Sequence, residues 1–375
     1  MYEEPEEILS NLLTGVAQDL DVPEAVEATI HGLYDDVGAW MCDALDDGDW
    51  SIHPQGSARL GTMVRRNDGA DYDIDSVVVK AIAKETITQN DLKTEVGDAL
   101  DDYVKARAAA PGPKFTAVTP DRRCFTLDSP DPIHMDVLPA VPVAGSKTKL
   151  WIPDRELRFW QPSDPVGFAN WFYGQMAQQV VEAKEAFAKR AQVDVEDVPD
   201  WRVRTVLQRT IQVFKAHRNL YFDADDPNHA SSIVITATAG LAYRGERSLF
   251  DAVMSVGARM ASFIEKDGAG YVVANPAHPD ENFADLWTAT RAAAFFAWID
   301  DVQRTLEAAM NTRTGLHETA NLLGPKFGAA SVTKAMDQYA LEHTAARDAG
   351  RLKVTTAGVL GTAGIAVKQH TFHGA

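Results

Sequence analysis

Asp73 and Asp75 stand two residues apart in DYDIDSVVVK, immediately before the apolar run Val77, Val78 and Val79. On a strand, residues at i and i+2 face the same side, so the two carboxylates project together. The β-branched run behind them calls for a place inside a sheet. A chain carrying this feature is constrained to a sheet with an acidic rim. Asp71 has the same facing, but Asp73 and Asp75 adjoin the apolar run, which leaves Asp71 as a supporting group. Upstream, PQGSARLGT places a turn at Gly56 and Ser57, followed by a loop that includes Arg65 to Ala70. A third carboxylate, Asp136, lies in the strand-like run IHMDVLPAVPV.

Three carboxylates of this kind suit in-line nucleotidyl transfer. Two Mg²⁺ held between them would neutralise the charge of the reacting phosphate and activate a sugar hydroxyl. Gly56 lets a phosphate approach the backbone, exposing N–H groups and the Ser57 hydroxyl to its oxygens. A lone pair of aspartates in an acidic chain is ordinarily a solvated strand edge. The turn, the doublet and the third aspartate are specific in combination.

These segments resemble the polymerase-β-type nucleotidyltransferases, and within them the CD-NTase (cGAS/DncV-like) enzymes of bacterial CBASS anti-phage systems. PQGSARLGT, DYDIDSVVV and MDVLPAVPV resemble that group's catalytic half. WIPD, FWQPSDPVGFANWF, RTVLQRTIQVFKAHR, SSIVITATAG and NPAHPDENFADLW resemble its helical half, so nearly the whole chain is covered. The resemblance implies an α+β, two-lobed polymerase-β-like fold: a mixed-sheet catalytic lobe, a helical lobe and an active-site cleft between them. It implies synthesis of a cyclic di- or trinucleotide second messenger from ATP and other ribonucleoside triphosphates, with release of pyrophosphate. Asp73, Asp75 and Asp136 would be the catalytic residues and the ligands of two Mg²⁺, for which Mn²⁺ can substitute. Gln55, Gly56 and Ser57 would bind nucleotide. In the family a helix lysine and a later serine grip the donor triphosphate; the matching positions are Lys215 and Ser232, with Ser231 as the register alternative.

Composition narrows the alternatives. The 375 residues include 45% hydrophobic ones, enough for a large core, and no apolar stretch nears the roughly 20 residues that span a bilayer. The opening MYEEPEEIL lacks the basic-then-apolar order of a secretory leader, so the chain is expected in the cytoplasm and off the membrane. Cys42 and Cys124 are too few and too far apart for a disulfide framework or a cysteine zinc site. The first 50 residues hold fourteen Asp or Glu and no Lys or Arg, in a chain of net charge −18. Such a surface repels long polyanions, which argues against activation by DNA and against an RNA acceptor. Most of this acidic run is expected to solvate the outer faces of two helices.

The chain divides into residues 1–160, amino-terminal helices with the catalytic lobe; 161–350, a helical lobe completing the cleft; and 351–375, a flexible tail. Apolar spacing predicts two opening helices, the second started by Pro23, and a helix over 89–108. Strands are expected near Val77 to Val79, Cys124 to Leu127 and Ile133 to Leu138. Further helices are expected at 166–192, 201–221, 231–244, 246–265, 281–311 and 332–349. In the helix from Trp201 to Tyr221, Val203, Leu207 and Phe214 form an apolar stripe, and Arg204, Gln208, Lys215 and Arg218 an adjacent one facing the cleft. Arg59, Arg65 and Arg66 are weaker phosphate candidates. His134 shares the Asp136 face, and Trp160, Trp171, Phe172 and Tyr173 are read as core. NPAHPDEN reads as a loop leading into a helix capped near Pro279 and Asp280. The small-residue tail ending Thr371 to Ala375 resembles termini that a ubiquitin-transfer-like ligase conjugates at the last residue, here Ala375; His370 and His373 are weak metal candidates.

Rival readings keep the chemistry and change the product or acceptor: a linear oligonucleotide synthase, or a transferase acting on RNA, protein or a small molecule. A catalytically dead scaffold would not need all three carboxylates, and a plain helical bundle would leave the turn and the doublet unexplained.

Overall fold

Apolar residues recurring every three to four positions wind the opening of the chain into α1 (Pro5–Asp19) and α2 (Glu24–Ala44), the latter entered through Pro23. The computed structural model describes residues 5–45, 50–65, 72–198, 203–223, 225–268, 270–312 and 316–351, with 353–354, 360–361 and 365–366. The two helices serve different cores. α2 lays Ile30, Leu33, Val37 and Met41 on the sheet, whereas α1 buries Leu9, Leu12, Leu13 and Val16 among the later helices.

The sheet follows from alternating apolar residues. After β1 (Trp50–Gln55) and the short helix α3 (Gly56–Leu60) come β2 (Tyr72–Lys80), α4 (Gln89–Arg107), β3 (Ala117–Pro120), β4 (Phe125–Asp128) and β5 (Ile133–Pro142). Next are β6 (Leu150–Pro153) and β7 (Trp160–Ser163). The order is β1-β2-β5-β4-β3, with β6 on the end of β5 and β7 on β6. β2 and β5 run parallel and the other pairs antiparallel, so the sheet is mixed. Ile74, Val78, Met135 and Val137 bury one face against α2 and α4; Val77, Val79 and Ala140 meet Leu150 and Ile152 on the other. Thr88 caps α4, its hydroxyl accepting the Asp91 N–H at 3.1 Å.

The helical core is built on α5 (Pro165–Gly174), α6 (Ala177–Ala191), α7 (Val206–Tyr221), α8 (Ser232–Ala242) and α9 (Leu249–Met260). The single helix expected over 166–192 is thus two, parted at Gln175 and Met176. α7 opens on a capping box between Thr205 and Gln208, and Trp201 lies outside the described residues. The hairpins β8 (Glu265–Asp267) with β9 (Gly270–Val272), and β10 (Ala274–Asn275) with β11 (His278–Asn282), follow. NPAHPDEN is therefore a hairpin, and α10 (Ala289–Met310) starts later, capped by Thr288. The reason is Glu281. Its carboxylate accepts from Ser163 Oγ (2.9 Å), Asp164 N–H (3.0 Å) and Asn275 Nδ2 (2.6 Å), which holds β11 against the end of β7. α11 (Leu316–Phe327) and α12 (Ala329–Asp348) complete the core, with Phe214, Phe295 and Trp298 fully buried at its centre. Trp298 Nε1 donates to His217 Nδ1 at 3.1 Å.

The acidic opening does more than solvate helices. Asp19 pairs with Arg65 (2.8 Å) and Lys334 (2.6 Å), Asp21 with Arg209 (2.6 Å), Glu27 with Arg204 (2.9 Å) and Asp36 with Arg107 (2.6 Å). These pairs bind the first two helices to α4, α7 and α12. In the tail, β12 (Lys353–Val354) pairs with β13 (Leu360–Gly361) and β14 (Ile365–Ala366). His370, His373 and Thr371 to Ala375, with the ligase and metal expectations resting on them, lie outside the described residues, as do Arg66 and Asp71. Among the described residues no helix is long and apolar enough to cross a membrane.

Candidate active site

The parallel pairing of β2 with β5 sets Asp75 directly opposite Asp136, and Asp73 opposite His134. Alternation along β2 turns Asp73 and Asp75 to one side. Asp136 Oδ1 accepts the Thr126 hydroxyl at 2.6 Å from β4, a partner unnamed in the sequence reading although Thr126 sits across from Asp136 in register. The Asp75 carboxyl is pushed up to about 6, first by burial and then by the charges of Asp136 and Asp73, against an opposing pull from Lys215. Gly56 opens α3 at φ 64°, close against Asp75.

α7 holds the segment after α3 in place. Gln208 Nε2 donates to the Leu60 carbonyl (2.9 Å), Gln212 Nε2 to the Met63 carbonyl (2.9 Å) and Lys215 Nζ to the Thr62 carbonyl (2.9 Å) and hydroxyl (3.2 Å). These donors lie on one helix face at i, i+4 and i+7. Gly61, in the left-handed conformation at φ 63°, lets the chain turn beneath Gln208, whose Nε2 would lie 2.5 Å from a Cβ there. Burial and the neighbouring charge of Arg218 lower the Lys215 amine to about 7, while Asp75 pulls the other way.

A cavity of about 430 Å³ opens beside this segment, lined among others by Ser57, Asp73, Lys215, Arg218 and Ser232. Four residues expected to act on nucleotide or metal thus come from β2, α3, α7 and α8 to one space. Arg218 joins them: its Nη1 donates to Ser232 Oγ (3.1 Å) and to the Ala230 carbonyl (2.8 Å). Gln55 lies beneath, its Nε2 donating to the Ser76 carbonyl at 3.4 Å. Arg204 and Gln208, expected to face the cleft, are nearly buried and engaged by Glu27 and Leu60; long polar side chains took the nearest buried partner. Arg59 Nη1 donates to the Pro54 carbonyl at 3.0 Å. Phe172 is core, and the Tyr173 hydroxyl donates to the Arg59 carbonyl at 2.9 Å.

The residues fit a divalent cation. Asp75 and Asp136 are opposed in register, Asp73 follows on the same face, and a cation would offset both the burial and the like charges that raise the Asp75 carboxyl. The ion-holding arrangement is not preformed, because among the described residues no three His, Cys, Asp or Glu side chains are gathered tightly enough to enclose an ion.

No protein-family model matches the chain. It is 24% identical over 340 residues to a c-di-GMP synthase of Roseivirga ehrenbergii, covering 88% of this chain and 87% of that protein. It is 25% identical over 360 residues to the cyclic dinucleotide synthase CdnG of Bradyrhizobium diazoefficiens, covering 88% of this chain and 83% of the relative. The fold matches the structure of the Bradyrhizobium diazoefficiens CD-NTase CdnG in complex with GTP at a TM-score of 0.68 and 22% identity, across 87% of this chain and 97% of the other. The fold is that of the CD-NTases, polymerase-β-like and α+β.

Proposed function

The chain carries the fold and the relatives of the cGAS/DncV-like nucleotidyltransferases, and we propose that it is a cyclic dinucleotide synthase, joining two ribonucleoside triphosphates in two successive transfers. The observation that carries this reading is the register placing Asp75 opposite Asp136, with Asp73 on the same strand lining a cavity that Ser57, Lys215 and Ser232 share.

Asp73, Asp75 and Asp136 would hold Mg²⁺, with Mn²⁺ as a substitute; when bound, the metal neutralises charge on the reacting phosphate and lowers the pKa of the attacking hydroxyl. Ser57 and the backbone N–H groups of α3 receive the donor phosphates, and Gln55 supports that turn. Lys215, Arg218 and Ser232 hold the triphosphate from the helical side. Thr126 occupies Asp136 Oδ1, leaving Oδ2 to take the acceptor hydroxyl's proton. The hydroxyl oxygen then bonds to the donor's α-phosphorus as the bond to the β-phosphate breaks, and pyrophosphate leaves. A second transfer closes the ring. The product would act as a cytoplasmic second messenger in CBASS anti-phage defence.

The test is incubation of purified protein with Mg²⁺ and the four labelled ribonucleoside triphosphates, then phosphatase treatment and separation beside an Asp73→Asn, Asp75→Asn variant. Phosphatase-resistant product from the unmodified protein alone supports cyclic synthesis, and its mass gives the bases. Products that phosphatase degrades would make it a linear synthase.

A further inference from the structure

One carboxylate at the end of α1 joins the donor cavity to α12. Asp19 Oδ2 accepts from Arg65 Nη2 and from Ser331 Oγ, each at 2.8 Å, and Asp19 Oδ1 accepts from Lys334 Nζ at 2.6 Å. The Asp19 side chain is nearly buried. Burial raises its carboxyl, but the hydrogen bonds from Lys334 and Ser331 and the charge of Arg65 outweigh this and hold it below the ordinary aspartate value. Arg65 is fixed a second time by its backbone N–H, which donates to the Leu20 carbonyl at 2.6 Å. Leu20 and Arg65 both line the cavity that Ser57, Asp73, Lys215 and Ser232 share, whereas Ser331 and Lys334 stand outside it. α12 packs along α1 with Ala335 against Gly15, which brings the two donors to Asp19.

This sharing leaves Arg65 incompletely matched. A carboxylate can take a guanidinium in a fork of two bonds, but Lys334 occupies Oδ1 and Ser331 shares Oδ2, so a single bond holds Arg65. Its Nε, the second arm of such a fork, is buried without a hydrogen-bond partner, and among the described residues Asp19 is the one carboxylate with which Arg65 pairs. Asp19 thus faces two cations, Arg65 and Lys334. Lys334 is exposed and keeps its water, whereas half-buried Arg65 presents its remaining charge to the cavity.

We infer that Asp19 is a positioning residue of the nucleotide site: with Oδ1 held by Lys334 and Oδ2 shared by Ser331, it keeps Arg65 by one bond and leaves the guanidinium to bind the donor triphosphate. The inference rests on the reading that this cavity takes a ribonucleoside triphosphate. α12 lends no side chain to the cavity, yet its docking on α1 sets how tightly the donor is held. If Lys334 released Oδ1, Asp19 would take Arg65 on both oxygens and draw it from the phosphates, because a guanidinium fork fits a carboxylate as well as it fits a phosphate.

Calorimetric titration of the intact protein with inorganic tripolyphosphate, without Mg²⁺, reads anion capture apart from turnover. Arg65→Met is expected to weaken binding about tenfold and Lys334→Gln about threefold, while Lys334→Arg restores the unmodified affinity. Lys334→Gln changes an exposed residue and should leave thermal unfolding where it is, which guards against a folding artefact. In the Arg65→Met background Lys334→Gln should have no further effect. In synthesis assays Lys334→Gln should raise KM for the nucleoside triphosphate about threefold with kcat unchanged. Equal losses from Lys334→Gln in both backgrounds would make Lys334 a distant charge and overturn the inference, as would unaltered binding in Arg65→Met or Lys334→Gln, or no binding by the unmodified protein. The expected losses in a protein that makes no nucleotide product would support the role of Asp19 and overturn the synthase reading; cyclic product with unaltered variants would do the reverse.

Discussion

Gly56 and Asp75 compete for the same space: a Cβ on Gly56 would stand 1.8 Å from Asp75 Oδ2. The glycine therefore serves the carboxylate as well as any phosphate, and its φ of 64° adds a second reason for having no side chain. Gly56→Ala is expected to lower stability and abolish product formation. Gly56→Ala with Asp75→Ala should recover part of the stability, leaving only the backbone cost of about 1 kcal/mol. Denaturant unfolding of the four proteins in this cycle measures the coupling.

Asp75 should weaken the empty protein at neutral pH. Its folded pKa of about 6 exceeds the ordinary aspartate value of 3.8, so the cost is full above pH 6 and vanishes below about 4. Asp75→Asn is expected to stabilise the metal-free protein at pH 7 by on the order of 1–2 kcal/mol, discounted because the carboxylate is partly open to water, while ending activity. Added Mg²⁺ should raise the melting temperature of the unmodified protein, and EDTA should reverse this. No Mg²⁺ shift is expected in Asp75→Asn.

His217 acts in the opposite sense over nearly the same range. Burial lowers its pKa from 6.5 to about 4 although Asp301 faces it at 3.3 Å, so its stability contribution is complete above pH 6.5 and is lost as pH falls through 4. The full loss is on the order of 3 kcal/mol. The two slopes offset each other, so a flat stability profile between pH 4 and 6 in the unmodified protein should become a steep acid loss in Asp75→Asn.

Lys215 should take up a proton when a triphosphate binds. Burial lowers its pKa to about 7, so at pH 8 the amine is mostly neutral, and an adjacent polyanion favours the charged form. Calorimetry of nucleotide binding at pH 8, in buffers of different ionisation enthalpy, should show uptake approaching one proton, absent in Lys215→Met. Zero uptake in the unmodified protein would remove Lys215 from the triphosphate site.

The pair Asp21 and Arg209 should show an asymmetric cost. Arg209 Nη1 donates to Asp21 Oδ1 at 2.6 Å and to the Ala17 carbonyl at 2.8 Å. Asp21→Ala strands a largely buried guanidinium and is expected to cost about 1–3 kcal/mol. Asp21→Ala with Arg209→Met should cost less than the single change, by chemical denaturation.

Local periodicity made β2, β5 and the apolar stripe of α7 readable, because each rule acts within a few residues: Asp73 and Asp75 share a face wherever that strand is placed. Partners were not readable. Arg204 and Gln208 have the spacing of a cleft wall, yet Glu27 and the Leu60 carbonyl, distant in the chain, claimed them. Pro279 and Asp280 offered a helix start, and the demand of Ser163, Asp164 and Asn275 for the Glu281 carboxylate made a strand instead.

The ladder from α7 to the carbonyls of Leu60, Thr62 and Met63 restricts how this chain can change in length. Its rungs at Gln208, Gln212 and Lys215 climb one helical turn at a time, about 5.4 Å, and each must find its own carbonyl. One residue inserted or removed between Gly61 and Thr62 would carry the Thr62 and Met63 carbonyls away from Lys215 and Gln212 together, and draw the Lys215 amine away from the donor phosphates. Between Gly56 and Asp73, tolerated insertions and deletions should therefore fall after Arg65, where a library of length variants would find its survivors.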